Sequence, residues 1–178
     1  MEGAGSIGEM TSVAYIGIGS NEGNRLLHCR EALSRLHVPP TVRVKMVSSL
    51  YETDPMDYLD QARFYNAVAE IETVYSPRGL LNCCQTIEAD LGKRVFFPKG
   101  PRAIDLDILF YGQDVIAEPD MVIPHPSIAV RPFVLIPLAE IAPLWVHPVL
   151  CKTIQALCSE LTTILRMETV QQINHGFC

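Results

Sequence analysis

Residues 41–74 read TVRVKMVSSLYETDPMDYLDQARFYNAVAEIETV. Val42, Val44 and Met46 alternate with Arg43, Lys45 and Val47, which predicts a strand from Thr41 to Tyr51, because successive side chains of a strand point to opposite faces. A loop rich in Asp and Pro, Thr53 to Asp60, leads to a second strand from Phe64 to Val74. Nothing of helical period lies between the two. They are therefore expected to form a hairpin with a long connection, and this excludes a regular β-α-β-α-β alternation.

Working outward, Ser12 to Gly19 (SVAYIGIG) is a short apolar run and a buried strand. A helix follows from Asn24 to His37, with Leu26, Cys29, Leu33 and Leu36 as its stripe, and Pro39-Pro40 stops it. Downstream, Ser76-Pro77 starts a second helix with a serine cap and a first-turn proline. Its stripe is Leu80, Cys84, Ile87 and Leu91, and Gly92 ends it. A basic loop, Lys93 to Arg102, precedes a strand from Ala103 to Tyr111. The order is β-α-β-β-α-β, the ferredoxin-like α+β arrangement with helices on one face of an antiparallel sheet. Short apolar segments at Val115-Ile116 and Met121 to Pro126 lead to extra C-terminal helices over Ser127 to Ala142 and Thr153 to Leu165. Residues 1–11 read as a flexible tail, 12–165 as a single domain and 166–178 as a C-terminal tail.

The chain of 178 residues suits one domain. A net charge of −6 argues against a nucleic-acid partner, which needs a basic face. It leaves room for a phosphate ligand held by a few arginines. Six cysteines without a CxxC pair read as reduced thiols rather than a zinc site. The N-terminus lacks the regions of a secretory signal. The longest apolar stretch, Ile128 to Val146, contains Arg131, Glu140 and three prolines, a poor membrane span. A cytoplasmic protein is expected.

The strongest chemical feature is Gly100 to Leu109, GPRAIDLDIL. On a strand, Asp105 and Asp107 share one face, about 6–7 Å apart, while Ile104, Leu106 and Ile108 face the core. Mg²⁺ bridged to nucleotide phosphates would relieve that pair, since Mg²⁺ favours a few carboxylates plus substrate oxygens. Spacing alone is equally compatible with two solvent-facing aspartates on an edge strand. Arg102 tilts the balance, because guanidinium grips phosphate bidentately. His125, stiffened between Pro124 and Pro126 and followed by Arg131 and Phe133, could hold phosphate or be structural. Gly17 to Gly23 (GIGSNEG) is one residue too long for a dinucleotide fingerprint. It reads as a tight strand-to-helix turn with Ser20 or Asn21 near the cap.

Taken in order, GSNEGNR, SSLYETDP, FYNAV, GPRAIDLDIL and PHPSIAVRPFVLIPLAEIAP resemble the 6-hydroxymethyl-7,8-dihydropterin pyrophosphokinases over Val13 to Pro148. The resemblance implies a transferase of folate biosynthesis that moves diphosphate from ATP to the pterin, with ATP as co-substrate and two Mg²⁺. It implies Asp105 and Asp107 as metal ligands, and Arg102 and Arg131 as catalytic residues. Gln85, Glu88, Arg102, Ile108, His125 and Arg131 are implied to line the ATP site. Thr53, Met56, Phe64, Asn66, Asp105 and Phe133 are implied to bind the pterin, with Phe64 and Phe133 sandwiching its ring. Small-molecule substrates and a monomer are expected. The loops Glu52 to Arg63 and Lys93 to Lys99 are candidate lids.

The chain departs from the family pattern at Lys99, where a tryptophan often precedes GPR; Phe96 or Phe97 could supply the missing cover. Lys93 or Arg94 stands in for a mobile arginine. Asp120 and Val122 fall where some members carry basic and hydroxyl residues. Two rival readings are a nucleotide-dependent oxidoreductase built on the glycine turn, and a non-catalytic ferredoxin-like binding module.

Overall fold

The computed structural model describes residues 11–56, 58–94, 97–164 and 170–173. At its centre is β1 (Ser12–Ser20), paired antiparallel with β4 (Phe64–Thr73) on one side and β5 (Asp105–Tyr111) on the other. The outer side of β4 carries two shorter strands, β2 (Val42–Val47) and β3 (Leu50–Thr53). The one strand expected over 41–51 is thus broken. Val47 faces Ala69 but Tyr51 faces Asn66, so one extra residue is inserted between them. Ser48 makes the break tolerable: its N–H donates to the Val68 carbonyl and its Oγ accepts from the Val68 N–H, both at 2.9 Å.

The helices form where the signals stand. Asn24 caps α1 (Arg25–Leu36) by accepting from the Leu27 N–H, so the cap lies beyond the Ser20 or Asn21 expected. Ser76 caps α2 (Pro77–Asp90) through the Gly79 N–H, and Gly92 follows its end with φ +82°, where an L side chain would be strained. Cys29, Ala32 and Leu36 of α1 and Leu80, Cys84 and Ile87 of α2 pack on Ala14, Ile16, Ile18, Leu106 and Ile108. Truncating a fully buried leucine such as Leu36 or Leu80 would cost about 2–5 kcal/mol.

With strand order β5-β1-β4-β3 and two helices on one face, the core is ferredoxin-like. The opposite face carries the extra C-terminal helices as its own layer. A hairpin of β6 (Ile116–Glu118) and β7 (Met121–Ile123) leads to a 3₁₀ turn (Ile128–Val130), α3 (Pro132–Ile141) and α4 (Ile154–Ile164). Leu135, Leu138, Ile154 and Leu157 pack there on Tyr15, Val68, Leu109 and Phe110. A bulge supplies that contact: Tyr15 faces Phe110 and Ile16 faces Ile108, so Leu109 is an extra residue and turns to this side with Phe110. The helix expected over 127–142 is interrupted at Arg131 (φ −112°, ψ 105°), because Pro132 disfavours helical geometry in the residue before it.

Beyond α4, β8 (Val170–Ile173) pairs with β3 inside the segment read as a tail. Val-Gln-Gln-Ile has no apolar alternation to announce a strand. Of the tail expected over 1–11, residues 1–10 lie outside the described residues. No helix among the described residues is long and apolar enough to cross a membrane.

Candidate active site

The second helical layer stops short of one end of the sheet. There Gly17 and Gly19 leave the floor of a cleft bare, and β-pairing fixes what stands around them. Asp107 is the partner of Gly17 and Asp105 of Gly19 on the β5 side. Asn66 is the partner of Gly19 on the β4 side, with Phe64 opposite Thr53 two pairs further out. A Cβ on Gly19 would meet Asn66 Oδ1 at 3.1 Å, and one on Gly17 would meet the Leu109 side chain at 3.3 Å. These glycines are therefore floor residues within β1, and not the strand-to-helix turn expected; the turn glycine is Gly23, with φ +63°. That removes the feature on which an oxidoreductase reading rested.

The cleft encloses about 770 Å³ including its open mouth. Its lining brings together Thr53, Met56, Phe64, Asn66, Asp105 and Phe133, with Asp107, Arg102 and Arg131. These come from β3, β4, β5, the start of α3 and the loops between. Asn66 Nδ2 donates to Thr53 Oγ1 at 2.7 Å, both groups buried, which fixes the amide. The Arg102 guanidinium lies 5.1 Å from the Phe64 ring centroid, and that of Arg131 5.6 Å from the Phe133 ring centroid.

Charge is concentrated on β5. Asp105 Oδ1 meets Lys93 Nζ at 2.7 Å, and its Oδ2 meets Arg102 Nε at 2.9 Å. Burial alone would raise the Asp105 pKa, but the charges of Arg102 and Lys93, with their hydrogen bonds, hold it below the usual value. Asp107 is pushed the other way, by burial and by the charge of Asp105. Such a pair has a standing demand for a further cation. No cluster of three or more His, Cys, Asp or Glu suited to a metal exists among the described residues. Two carboxylates on one strand face therefore fit a hard ion that takes its other oxygens from substrate and water, as Mg²⁺ does.

Four of the expected ATP residues, Gln85, Glu88, Ile108 and His125, stand outside the cleft lining, with Gln85 exposed on α2. Glu88 is buried: its Oε1 accepts from the Leu106 N–H at 2.7 Å and from Lys93 Nζ at 2.9 Å. Burial raises its pKa, against the hydrogen bonds from Lys93 and Leu106. Ile108 is buried in the core between sheet and α1/α2. His125 is also outside the lining, but its Nδ1 accepts from the Ser127 N–H at 3.2 Å, which leaves Nε2 as the donor. Burial lowers its pKa despite the charge of Asp107, so the ring is neutral.

The mouth contains residues that sequence reasoning missed. Asn21 Nδ2 donates to Gln61 Oε1 at 3.0 Å, and Asn21 Oδ1 accepts from the Arg102 N–H at 2.9 Å. Gln61 Nε2 in turn donates to the carbonyls of Tyr58 and Lys99. This pair ties together the loops on either side of the cleft. Phe97 stacks edge-on against Tyr58, with ring centroids 5.2 Å apart, at the rim; Phe96 lies outside the described residues. Asp120 pairs with Arg78 at 2.6 Å, fastening the β6–β7 hairpin to α2.

Comparison with known proteins was consistent in its direction. Residues 15–143 match the model of a family described as 7,8-dihydro-6-hydroxymethylpterin-pyrophosphokinase. The 2-amino-4-hydroxy-6-hydroxymethyldihydropteridine pyrophosphokinase of Bacillus subtilis is 46% identical over 132 residues, covering 74% of this chain and 79% of that protein. The folic acid synthesis protein fol1 of Schizosaccharomyces pombe is 44% identical over 149 residues, 84% of this chain but 20% of that protein. A crystal structure of wild-type Plasmodium falciparum HPPK-DHPS superposes with a TM-score of 0.71 at 18% identity, covering 91% of this chain and 47% of that one, a likeness of fold.

Proposed function

Since the chain belongs to the 7,8-dihydro-6-hydroxymethylpterin-pyrophosphokinase family, we propose that it transfers diphosphate from ATP to 6-hydroxymethyl-7,8-dihydropterin, a step of folate biosynthesis. It is a transferase with ATP as co-substrate. The observation that carries this reading is one cleft in which an aromatic and amide-lined slot (Phe64, Phe133, Asn66, Thr53) adjoins a carboxylate pair flanked by two arginines.

The hydroxymethyl oxygen attacks the β-phosphorus of ATP and loses its proton, and the bond from that phosphorus to the α,β-bridging oxygen breaks, releasing AMP. Phosphoryl transfer asks for positioning and charge neutralisation rather than a protein nucleophile. Phe64 and Phe133 receive the flat ring. The fixed Asn66 amide and Thr53 hydroxyl read its polar edge, and Met56 covers it from the loop above. Arg102 and Arg131 stabilise charge on the phosphates, and neutral His125 offers an N–H donor to them. Asp105 and Asp107 would hold Mg²⁺, two ions per site, whose charge neutralises the phosphates and favours ionisation of the attacking hydroxyl. Gln85, exposed on α2 and outside the cleft lining, would meet the nucleotide only from the rim. Glu88 acts indirectly, by holding β5 and Lys93. We place the enzyme in the cytoplasm as a monomer.

The test is incubation with Mg-ATP and the hydroxymethyl dihydropterin, separating the nucleotide products. AMP and the pterin diphosphate in equal amounts are expected. ADP as the main product would point to an ordinary kinase, and no nucleotide turnover to a binding module.

A further inference from the structure

We infer that Lys93 is a placeholder cation: its ammonium occupies the position at which a divalent ion would meet Asp105, and it must withdraw before that ion binds. The inference rests on the metal reading of Asp105 and Asp107 given above.

Both oxygens of Asp105 are taken, Oδ1 by Lys93 at 2.7 Å and Oδ2 by Arg102 at 2.9 Å. A metal ion on this carboxylate would stand close to both cations, and their repulsion is relieved when one of them withdraws. Arg102 is the poorer candidate to leave. Its backbone N–H is bound by Asn21 and its carbonyl accepts from the Asn21 N–H, so its main chain is fixed at the cleft mouth. Lys93 is differently placed. It opens the loop after α2, one residue past Gly92, and its ammonium is shared between Asp105 and Glu88. Glu88 is fixed, being buried and bound to the Leu106 N–H. The ammonium can therefore leave Asp105 and keep Glu88 as its counter-charge, so no buried carboxylate is left uncompensated during the exchange. Arginine, with a wider and more delocalised head, would not exchange in the same way; the lysine ammonium is a compact point charge on a flexible stem that can swing aside.

Two cations that compete for one carboxylate weaken each other reciprocally. Lys93→Gln is therefore expected to bind Mn²⁺, in the absence of nucleotide, about ten-fold or more tightly than the natural protein, read by the electron spin resonance of free Mn²⁺. Lys93→Arg, which keeps the charge, is expected to stay at the natural protein's weak affinity, and Lys93→Gln/Asp105→Asn to lose the gain. Melting temperature gives a second readout: Mn²⁺ should raise that of Lys93→Gln more than that of the natural protein. Equal Mn²⁺ affinity in Lys93→Gln and the natural protein would overturn the placeholder role. If Asp105→Asn then still failed to retain Mn²⁺ beside a non-hydrolysable ATP analogue, the metal reading would stand alone. If it retained Mn²⁺ fully, both would fall.

Discussion

Gly19→Ala probes the bare floor of the cleft. The added methyl would project from β1 between Asn66 and Asp105, 3.1 Å from Asn66 Oδ1 and 3.9 Å from Asp105 Cβ. The Asp105 contact is ordinary, so the carboxylate keeps its place. The Asn66 contact is too close by a few tenths of an ångström, and the amide must shift, straining its 2.7 Å bond to Thr53. Stability should change little. Replacing a strand glycine by alanine gains about 0.4–1 kcal/mol through the unfolded chain, which offsets the cost of moving one side chain. Pterin binding should suffer more. Losing one hydrogen bond to the ring costs about 0.5–1.5 kcal/mol, and a methyl forced into a fitted slot about 1–3 kcal/mol. The sum, about 1.5–4.5 kcal/mol, is a loss of roughly ten-fold to a thousand-fold in affinity. Titration calorimetry with the pterin and a thermal melt measure both effects, with a titration of Mg-ATP alone as the control. A folded Gly19→Ala protein whose pterin affinity lies within two-fold of the natural one would refute the floor assignment.

Phe64→Ala and Phe133→Ala separate site from core: each should weaken pterin binding several-fold with little change in ATP binding, stacking being worth about 0.5–1.5 kcal/mol beyond area. A stability loss of about 3–5 kcal/mol with unchanged pterin affinity would mark the ring as core packing instead. Among the described cysteines, alkylation near neutral pH should label exposed Cys151 first. Cys29, whose thiol burial pushes up to about 12, and buried Cys84, pushed up by the same cause, should react only on unfolding; mass spectrometry of the labelled peptides reads the order.

What was legible in the sequence follows from how local each signal is. Period-2 alternation around Asp105 and Asp107 placed both on one face, and caps at Ser76 and Gly92 bounded α2, because strand and helix geometry act within a few residues. The partner of a strand is not local, so the role of Gly17 and Gly19 appeared only when register set them against Asp107 and Asp105. Their own spacing of two residues on a strand was the available signal. Glu88 had one too: it lies four residues after Cys84 on the buried side of α2, where a carboxylate needs a partner. The Asn21–Gln61 tie joins residues forty apart and had none. The second helical layer was visible as helices but not as to face, since the bulge that turns Leu109 and Phe110 together breaks the alternation on which a facing argument depends.

The Glu88 carboxylate on the Leu106 N–H bears also on how the molecule avoids itself. Strand β5 is the outer strand on its side of the sheet, and an unpaired outer strand is a template for another chain to join. Here the outward Leu106 N–H is held by a side chain, and the Leu109 carbonyl three residues on accepts from the His125 N–H. An incoming strand would find both groups already bonded, and would have to bury a negative charge to displace the first. Part of the edge of the strand that carries the two aspartates is thereby closed to another chain without a further strand being laid over it, while the cleft face of that strand is left for small molecules.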